Sequence, residues 1–209
     1  MSLKTINERY NKMKPIILID NGHGSNTAGK RSPDGRHLEY KWARMFASRL
    51  CDVLKKDGFT VLMVTPEETD VPISTRCRRV NIVCNQFGAQ NCLLVSIHND
   101  ASGNGSRWLN GRGWSARVSL NASLRSKTLA RRLIEAAEAN GITVRKYSRQ
   151  VPYWPQNLGI CRDTNCPAVL TENLFMDNLK DVELLSSEEY IQKLVAAHVE
   201  GIKKYSDAL

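Results

Sequence analysis

The 209-residue chain contains no run of about 18 apolar residues, so no segment of it reads as a membrane-crossing helix. Repeats and low-complexity stretches are missing too. That excludes solenoids and long disordered segments, and leaves one ordinary domain with a single core. Cysteine occurs six times but never as a C-x-x-C pair, which argues against a zinc ribbon or a thioredoxin-like site. The scattered thiols of Cys51, Cys77, Cys84, Cys92, Cys161 and Cys166 read as small buried hydrophobes in reduced form. Cys161 and Cys166 are near enough for a local disulfide. The first fourteen residues, MSLKTINERYNKMK, lack the apolar core of a secretory leader, however, so reduced thiols are expected. Aromatic residues are sparse, at 7%, and do not interleave with basic ones as on nucleic-acid-binding surfaces. Acidic residues are outnumbered, 21 against 30, for a net charge of +9. Such an excess points to an anionic partner without naming it.

What is present alternates in period. PIILID (15–20) is a short apolar run ending in a Gly-rich turn, and reads as a buried strand. From Glu39 the spacing becomes helical, with Ala43, Phe46, Ala47, Leu50, Val53 and Leu54 on one face, and Asp57-Gly58 stops it. FTVLMVT (59–65), NCLLVSIH (91–98), GWSARVSL (113–120) and CPAVLTENLF (166–175) read as further strands. Helices are expected over about 74–87 and 123–140, and from Ser186 onward, where Glu189 three residues later suggests a capping box. Strands alternating with helices predict an α/β fold: a single domain whose central, mostly parallel sheet is covered by helices on both faces. Residues 1–14 read as an N-terminal extension and 15–209 as the domain, with Met13 an alternative natural start.

Ligands in such folds bind beyond the carboxyl ends of the strands. Strand one delivers His23 between Gly22 and Gly24, and strand three ends at His98 with Asp100 beyond it. Glu172 lies inside the apolar run VLTENLF, and Glu39 opens the first long helix. Taken singly, each has a bland reading. His23 would be a loop residue, His98 a hydrogen-bonded core histidine, and Glu39 a carboxylate favoured by the helix dipole. Glu172 resists such treatment, because a carboxylate on a central strand is costly to bury unpaired. Together, two imidazoles and a carboxylate suit Zn²⁺ with one position open for water, and a nearby unligated Glu suits a general base. His37 and His198 read as surface or packing residues. GSNTAGKRS (24–32) nearly spells a phosphate-binding loop, but Arg31 replaces the required Ser or Thr and Pro33 breaks the helix such a loop opens.

With those residues in place, the chain resembles the zinc-dependent N-acetylmuramoyl-L-alanine amidases of the amidase type 3 family, from about Pro15 to Tyr205. IILIDNGHG resembles the family's strand and D-x-G-H-G turn, with Asn21 where Pro is usual. Arg76 with Val80-Asn81 resembles its R-x-x-x-A-N stretch, and VSIHNDA its S-I-H-x-[ND]-A segment. LGICRDTNCPAVLTENLFMDN resembles the strand that carries Pro167, Glu172, Phe175 and Asn178. The resemblance implies that His23, Glu39 and His98 hold the zinc and that Glu172 is the catalytic carboxylate. It implies hydrolysis of the amide between N-acetylmuramic acid and L-alanine in peptidoglycan, by a monomer of the single-domain endolysin type. Asp100 reads as a loop-capping or solvated residue, with orienting His98 as the alternative, and Arg76, Arg112 and Asn178 are candidates to support the site or contact substrate. The stretch after Ala101 is too short for the helix that plugs the site in some relatives, so an open site is expected. The expected setting is synthesis in the cytoplasm and action on the cell wall, either after release through a separate pore or as a secreted enzyme without its leader.

Two rival readings remain at this point. One is another zinc hydrolase on the same fold, carboxypeptidase-like, with Arg76, Arg112 or Arg162 as carboxylate anchor. The other is a basic nucleic-acid-binding protein, against which the missing aromatic–basic pattern counts. The charge is concentrated: residues 107–150 hold ten basic and two acidic side chains. Arg107, Arg131, Arg132 and Arg149 would then form either a solvated surface or a basic flank facing anionic wall material.

Overall fold

The computed structural model of the protein describes residues 14–209. The N-terminal extension and the alternative start at Met13 lie outside the described residues, apart from Lys14. Its ammonium donates to the Asp57 carbonyl (2.5 Å) and lies over the Phe59 ring.

Six strands form one sheet: β1 (Ile16–Asn21), β2 (Val61–Met63), β3 (Cys92–Asp100), β4 (Ser115–Ser119), β5 (Trp154–Gln156) and β6 (Ala168–Phe175), in the order β2-β1-β3-β6-β4-β5. The first four in that order are parallel. β4 runs antiparallel to β6 and parallel to β5, so the sheet is mixed at one edge. The central strands are apolar on both sides because both sides are covered. The helices are α1 (Glu39–Lys56), α2 (Ile73–Phe87), α3 (Leu124–Ala139), α4 (Gly159–Arg162), α5 (Leu179–Leu185) and α6 (Glu188–Asp207).

Alternation along the strands divides the core in two. Ile17, Ile19, Val95, Ile97 and Val169 point to one side, where the long helices α1, α3 and α6 bury them. Leu18, Leu94 and Leu170 point to the other, against α2 and the single turn of α4. That second layer includes Cys77, Cys84, Cys92, Cys161 and Cys166, and all six cysteines of the chain are buried free thiols, as expected from the sequence.

Several boundaries differ from expectation. The predicted strand 59–65 shrinks to three residues because, among the described residues, it is an edge strand paired with β1 alone. The last helix is capped by Ser187, not Ser186: the Ser186 N–H and hydroxyl both bond the Val182 carbonyl at the end of α5. No capping box forms, since Glu189 pairs with Lys193 instead. β5, α4 and α5 were not expected; they are too short to show a period. No helix among the described residues is long and apolar enough to cross a membrane.

Candidate metal centre and catalytic cleft

The second face of the sheet is covered over only part of its length. Past Leu18, Leu94 and Leu170, the same rows of alternate residues continue as Asp20, Ser96, His98 and Glu172, and β3 and β6 place His98 beside Glu172. The cleft lies there, beyond the carboxyl ends of β1, β3 and β6, where α/β sheets bind ligands.

β1 leaves the sheet through Asn21-Gly22-His23-Gly24. His23 has φ of 59°, in the left-handed region that L-residues rarely adopt, so surrounding contacts must hold it there. A Cβ on Gly22 would lie 2.4 Å from the His98 ring, and one on Gly24 would lie 1.9 Å from the Asp70 backbone nitrogen. Both positions therefore exclude any side chain. Arg76 locks the turn. Its fully buried guanidinium donates to Asp20 (2.8 Å), the Asn21 carbonyl (2.6 Å), the Val71 carbonyl (2.7 Å) and Asp70 (2.8 Å). Arg44 adds a bond to the His23 carbonyl (3.0 Å).

Glu39 enters from the first turn of α1 and is wholly buried. Its Oε1 lies 3.1 Å from His98 Nδ1 and 3.4 Å from His23 Nε2, and accepts the Asn99 N–H (3.0 Å). Its Oε2 is buried without a hydrogen-bond partner among the described residues. Ligand atoms of the three residues all lie within 4.8 Å of one another. Bonds of about 2.0–2.1 Å in a tetrahedral zinc site would place donor atoms roughly 3.3 Å apart, so these separations fit. An orphaned carboxylate oxygen, two imidazoles and an enclosed position make a donor set suited to a divalent metal such as zinc.

Electrostatics divide the four residues. Burial lowers the His23 imidazole to about 4, with His98 and Lys30 acting the same way against Glu39 and Asp70, so it is neutral and able to ligate. Burial works against the charge on Glu39, but its bonds from His98 and Asn99 and the nearby imidazoles hold it below the usual carboxylate range. Burial also works against charge on His98, and Glu39 outweighs it, keeping His98 above its ordinary value. Glu172 goes the other way. Burial pushes it up to about 7, helped by Asp100 and Glu39 and opposed by Arg117 and His98. Its Oε2 is buried and makes no hydrogen bond among the described residues, and Arg117 Nε lies 3.5 Å from its Oε1. A carboxyl group poised near neutrality can both accept and return a proton.

The structure places the remaining candidates around the four. Asp100 does not orient His98: its Oδ2 accepts from Arg117 (2.5 Å) and Arg145 (3.0 Å), and Glu39 occupies the imidazole instead. Arg76 is almost wholly buried and committed to the His23 turn, and it also lines the cavity beside His23 and His98. Asn178 caps α5 through Asp181 N–H (3.1 Å) and ties Leu109 of the 101–114 connection (3.0 Å). Arg112 is half-exposed beside Asp181 (3.5 Å), and Arg162 is engaged with Asp163 and Asn157. His37 and His198 are both packing residues, the former bonded to Asn99 (2.9 Å).

Sequence reasoning missed Arg117, Arg145, Asn99 and Asn173. Asn173 donates to the His98 carbonyl (3.1 Å) and accepts from Trp114 (2.9 Å), bracing β3 against β6. Asn99 and Asn173 immediately follow His98 and Glu172, so adjacency was the available signal. A cavity of about 300 Å³ opens between His23, His98, Arg76, Asp70, Val71, Pro72 and Ile73. The connection from β3 to β4 carries no helix.

Comparison with known proteins agrees with this picture. The family model described as N-acetylmuramoyl-L-alanine amidase matches residues 17–204. The "Probable cell wall amidase LytH" of Staphylococcus epidermidis is 28% identical over 190 residues, 90% of this chain and 57% of the relative. The endolysin of Bacillus phage SPP1 is 24% identical over 192 residues, 91% of this chain and 65% of the relative. The chain thus spans between half and two thirds of these relatives. Among solved structures, the N-acetylmuramoyl-L-alanine amidase of Clostridium difficile 630 superposes with a TM-score of 0.79 at 24% identity, covering 94% of this chain and 98% of that one. Ami1 of Mycobacterium smegmatis does so with a TM-score of 0.79 at 22% identity, covering 93% and 98%; at these identities the likeness shows a shared fold. With a family model covering nearly its whole length, the chain belongs to the N-acetylmuramoyl-L-alanine amidase family of the amidase type 3 class.

Proposed function

We propose that the protein hydrolyses the amide between N-acetylmuramic acid and L-alanine in peptidoglycan, with zinc held by His23, Glu39 and His98 and with Glu172 moving the proton. The observation that carries the reading is the pairing of a three-donor cluster with a buried carboxylate on the neighbouring strand, His98 beside Glu172. Zinc at such a centre supplies Lewis acidity, acidifying a water and polarising the scissile carbonyl. Glu172 takes the proton from the attacking water, then returns it to the nitrogen of the leaving alanine. One carboxyl does both because the transfers are sequential and its affinity for the proton is matched to neutral pH. Arg117 faces the same carboxyl and offsets its charge while the proton is away. Asn99 and Asn173 hold the β3–β6 geometry on which the reaction distance depends.

With no helix between β3 and β4, the cleft stays open, and turnover needs no activator protein. The reaction takes place at the cell wall, as part of lysis or remodelling. The test is digestion of purified sacculi by the metal-loaded protein, followed by end-group analysis. New N-terminal alanine is the expected product. Release of free C-terminal D-alanine instead would point to a carboxypeptidase and overturn the assignment.

A further inference from the structure

Past Glu172 the sheet continues into two strands that the proton transfers do not use. In sheet order, β1 and β3 bring the two histidines, β6 brings Glu172, β4 brings Arg117 and β5 brings Trp154. Beyond Glu172 the sheet edge therefore turns basic. Two guanidinium groups meet on the Asp100 carboxylate there, and one of them, Arg117, also faces Glu172.

The two arginines are not equivalent. Arg117 is committed at both terminal nitrogens, Nη1 to Gln156 Oε1 (2.7 Å) and Nη2 to Asp100 (2.5 Å), and its buried Nε makes no hydrogen bond among the described residues but lies 3.5 Å from Glu172. Arg145 commits only Nη1, to Asp100 (3.0 Å), and among the described residues its Nε and Nη2 bond nothing. A third of its side chain is exposed. It is nonetheless held firmly. Its guanidinium lies 4.5 Å over the Phe175 ring and 5.2 Å over the Trp154 ring. Its backbone is pinned by Trp114 (2.7 Å) and by Trp154 Nε1 (3.0 Å). A stacked arginine with a free edge has lost most of its rotamer freedom already, and its planar fork matches a carboxylate.

The proton path supplies a direction. Glu172 must reach the leaving nitrogen, so the peptide departs on the Glu172 side of the scissile bond, away from the histidines and toward Arg145. The carboxyl of muramic acid is consumed in the amide, so any free carboxylate nearby belongs to the peptide. We propose that Arg145 anchors a free peptide carboxylate on the leaving side of the scissile amide, with Trp154 and the exposed Tyr147 stacked edge-on to it (5.4 Å) flanking the chain. The inference rests on the amidase reading.

The test uses two synthetic muramoyl-peptides that differ only in whether the residue after L-alanine carries a free or an amidated carboxyl. Binding is read by calorimetry on the metal-loaded Glu172→Gln protein, which removes turnover, and KM is read on the unaltered enzyme. The free acid is expected to bind about ten- to a hundredfold more tightly, the range of a charge-assisted hydrogen bond. Arg145→Gln should bring that ratio near one, and Arg145→Lys should keep part of it. A residue that merely supports the fold would weaken both peptides alike. Equal affinity of the two peptides for the protein with Arg145 intact overturns the proposal without any Arg145 variant, as does a ratio that survives Arg145→Gln or a failure of both peptides to bind. Failure of the amidase reading looks different: the binding ratio holds, yet neither peptide is cut at the muramoyl amide.

Discussion

The two faces of the sheet differ by one residue of phase along every strand, and they do opposite things. Ile17, Ile19, Val95, Ile97 and Val169 are wholly buried under α1, α3 and α6 and carry no chemistry. Their immediate neighbours Leu18, Asp20, Ser96, His98 and Glu172 face a cover made of α2 and the single turn of α4, which ends before the strands do. The lesson is that cover length sets where polar groups can stand. Under long helices a buried carboxylate would need a dedicated partner. Beyond the end of short ones, Glu172 keeps an unsatisfied oxygen and a raised proton affinity. A slip of one residue in the β3 or β6 register would exchange the two faces and lose both core and site.

Paired substitutions test that opposition, and the largest effect is expected at Glu172. Glu172→Gln should lower turnover about 100- to 10,000-fold while metal analysis still finds the ion. Its effect on stability should have the opposite sign. The folded carboxyl titrates near 7, above its unfolded value, so stability is full below the unfolded pKa and falls as pH rises through 7. The metal-free Gln variant should therefore unfold at a higher urea concentration than the metal-free parent at pH 8. Turnover close to that of the parent would remove Glu172 from the mechanism. Phe46→Ala is the mirror case. Phe46 is wholly buried, stacked 4.8 Å from Trp42 and edge-on to His198 (5.1 Å). Its truncation should cost about 3–5 kcal/mol of stability and leave turnover per folded molecule near the parent value. If Phe46→Ala also lost its metal, the helical face would be part of the site and the comparison would break.

The helical face was the easier one to read in the sequence. Its residues obey the period of each element, so Ala43, Phe46, Leu50 and Leu54 on α1, and Ile191, Leu194 and Ile202 on α6, could be placed inward from spacing alone. His23, Glu39, His98 and Glu172 were legible for the opposite reason, as polar residues where the local pattern calls for apolar ones or for a plain loop. Arg117 and Arg145 carried no such mark. A basic residue in the basic segment 107–150 looks like surface, and only the antiparallel register of β4 with β6 brings Arg117 to Glu172. The arginines that did attract notice there are engaged elsewhere: Arg132 pairs with Glu135, and Arg131 lies over the Tyr153 ring and bonds the Gln150 carbonyl. Adjacency in sequence to His98 makes Asp100 a candidate for contact with it, whereas the bulge between them turns its carboxylate toward β4.

The smallest expected effect concerns the one imidazole of the helical face. His198 on α6 is fully buried between Phe46 and Trp114, with Nδ1 2.8 Å from the Leu194 carbonyl and Nε2 3.1 Å from the Thr171 hydroxyl. In the neutral ring, Nδ1–H donates to the carbonyl and Nε2 accepts from the hydroxyl. Protonation would put a second N–H against Thr171 and a charge among rings. Burial accordingly lowers its pKa from 6.5 to about 4, against a weaker opposing pull from the Leu194 carbonyl. The unfolded chain takes up the proton first, so this part of the stability is complete above pH 6.5 and is lost as pH falls toward 4. The gap between those values is worth about 3 kcal/mol. Urea unfolding at pH 7 and pH 4.5 measures it, and His198→Gln isolates it, because His37 and the carboxylates titrate in both proteins. The difference in stability between the two pH values should be smaller in the variant by about 2–3 kcal/mol. Identical pH dependence would mean that the helical face tolerates a buried charge as the cleft does, and the two faces would differ in composition alone.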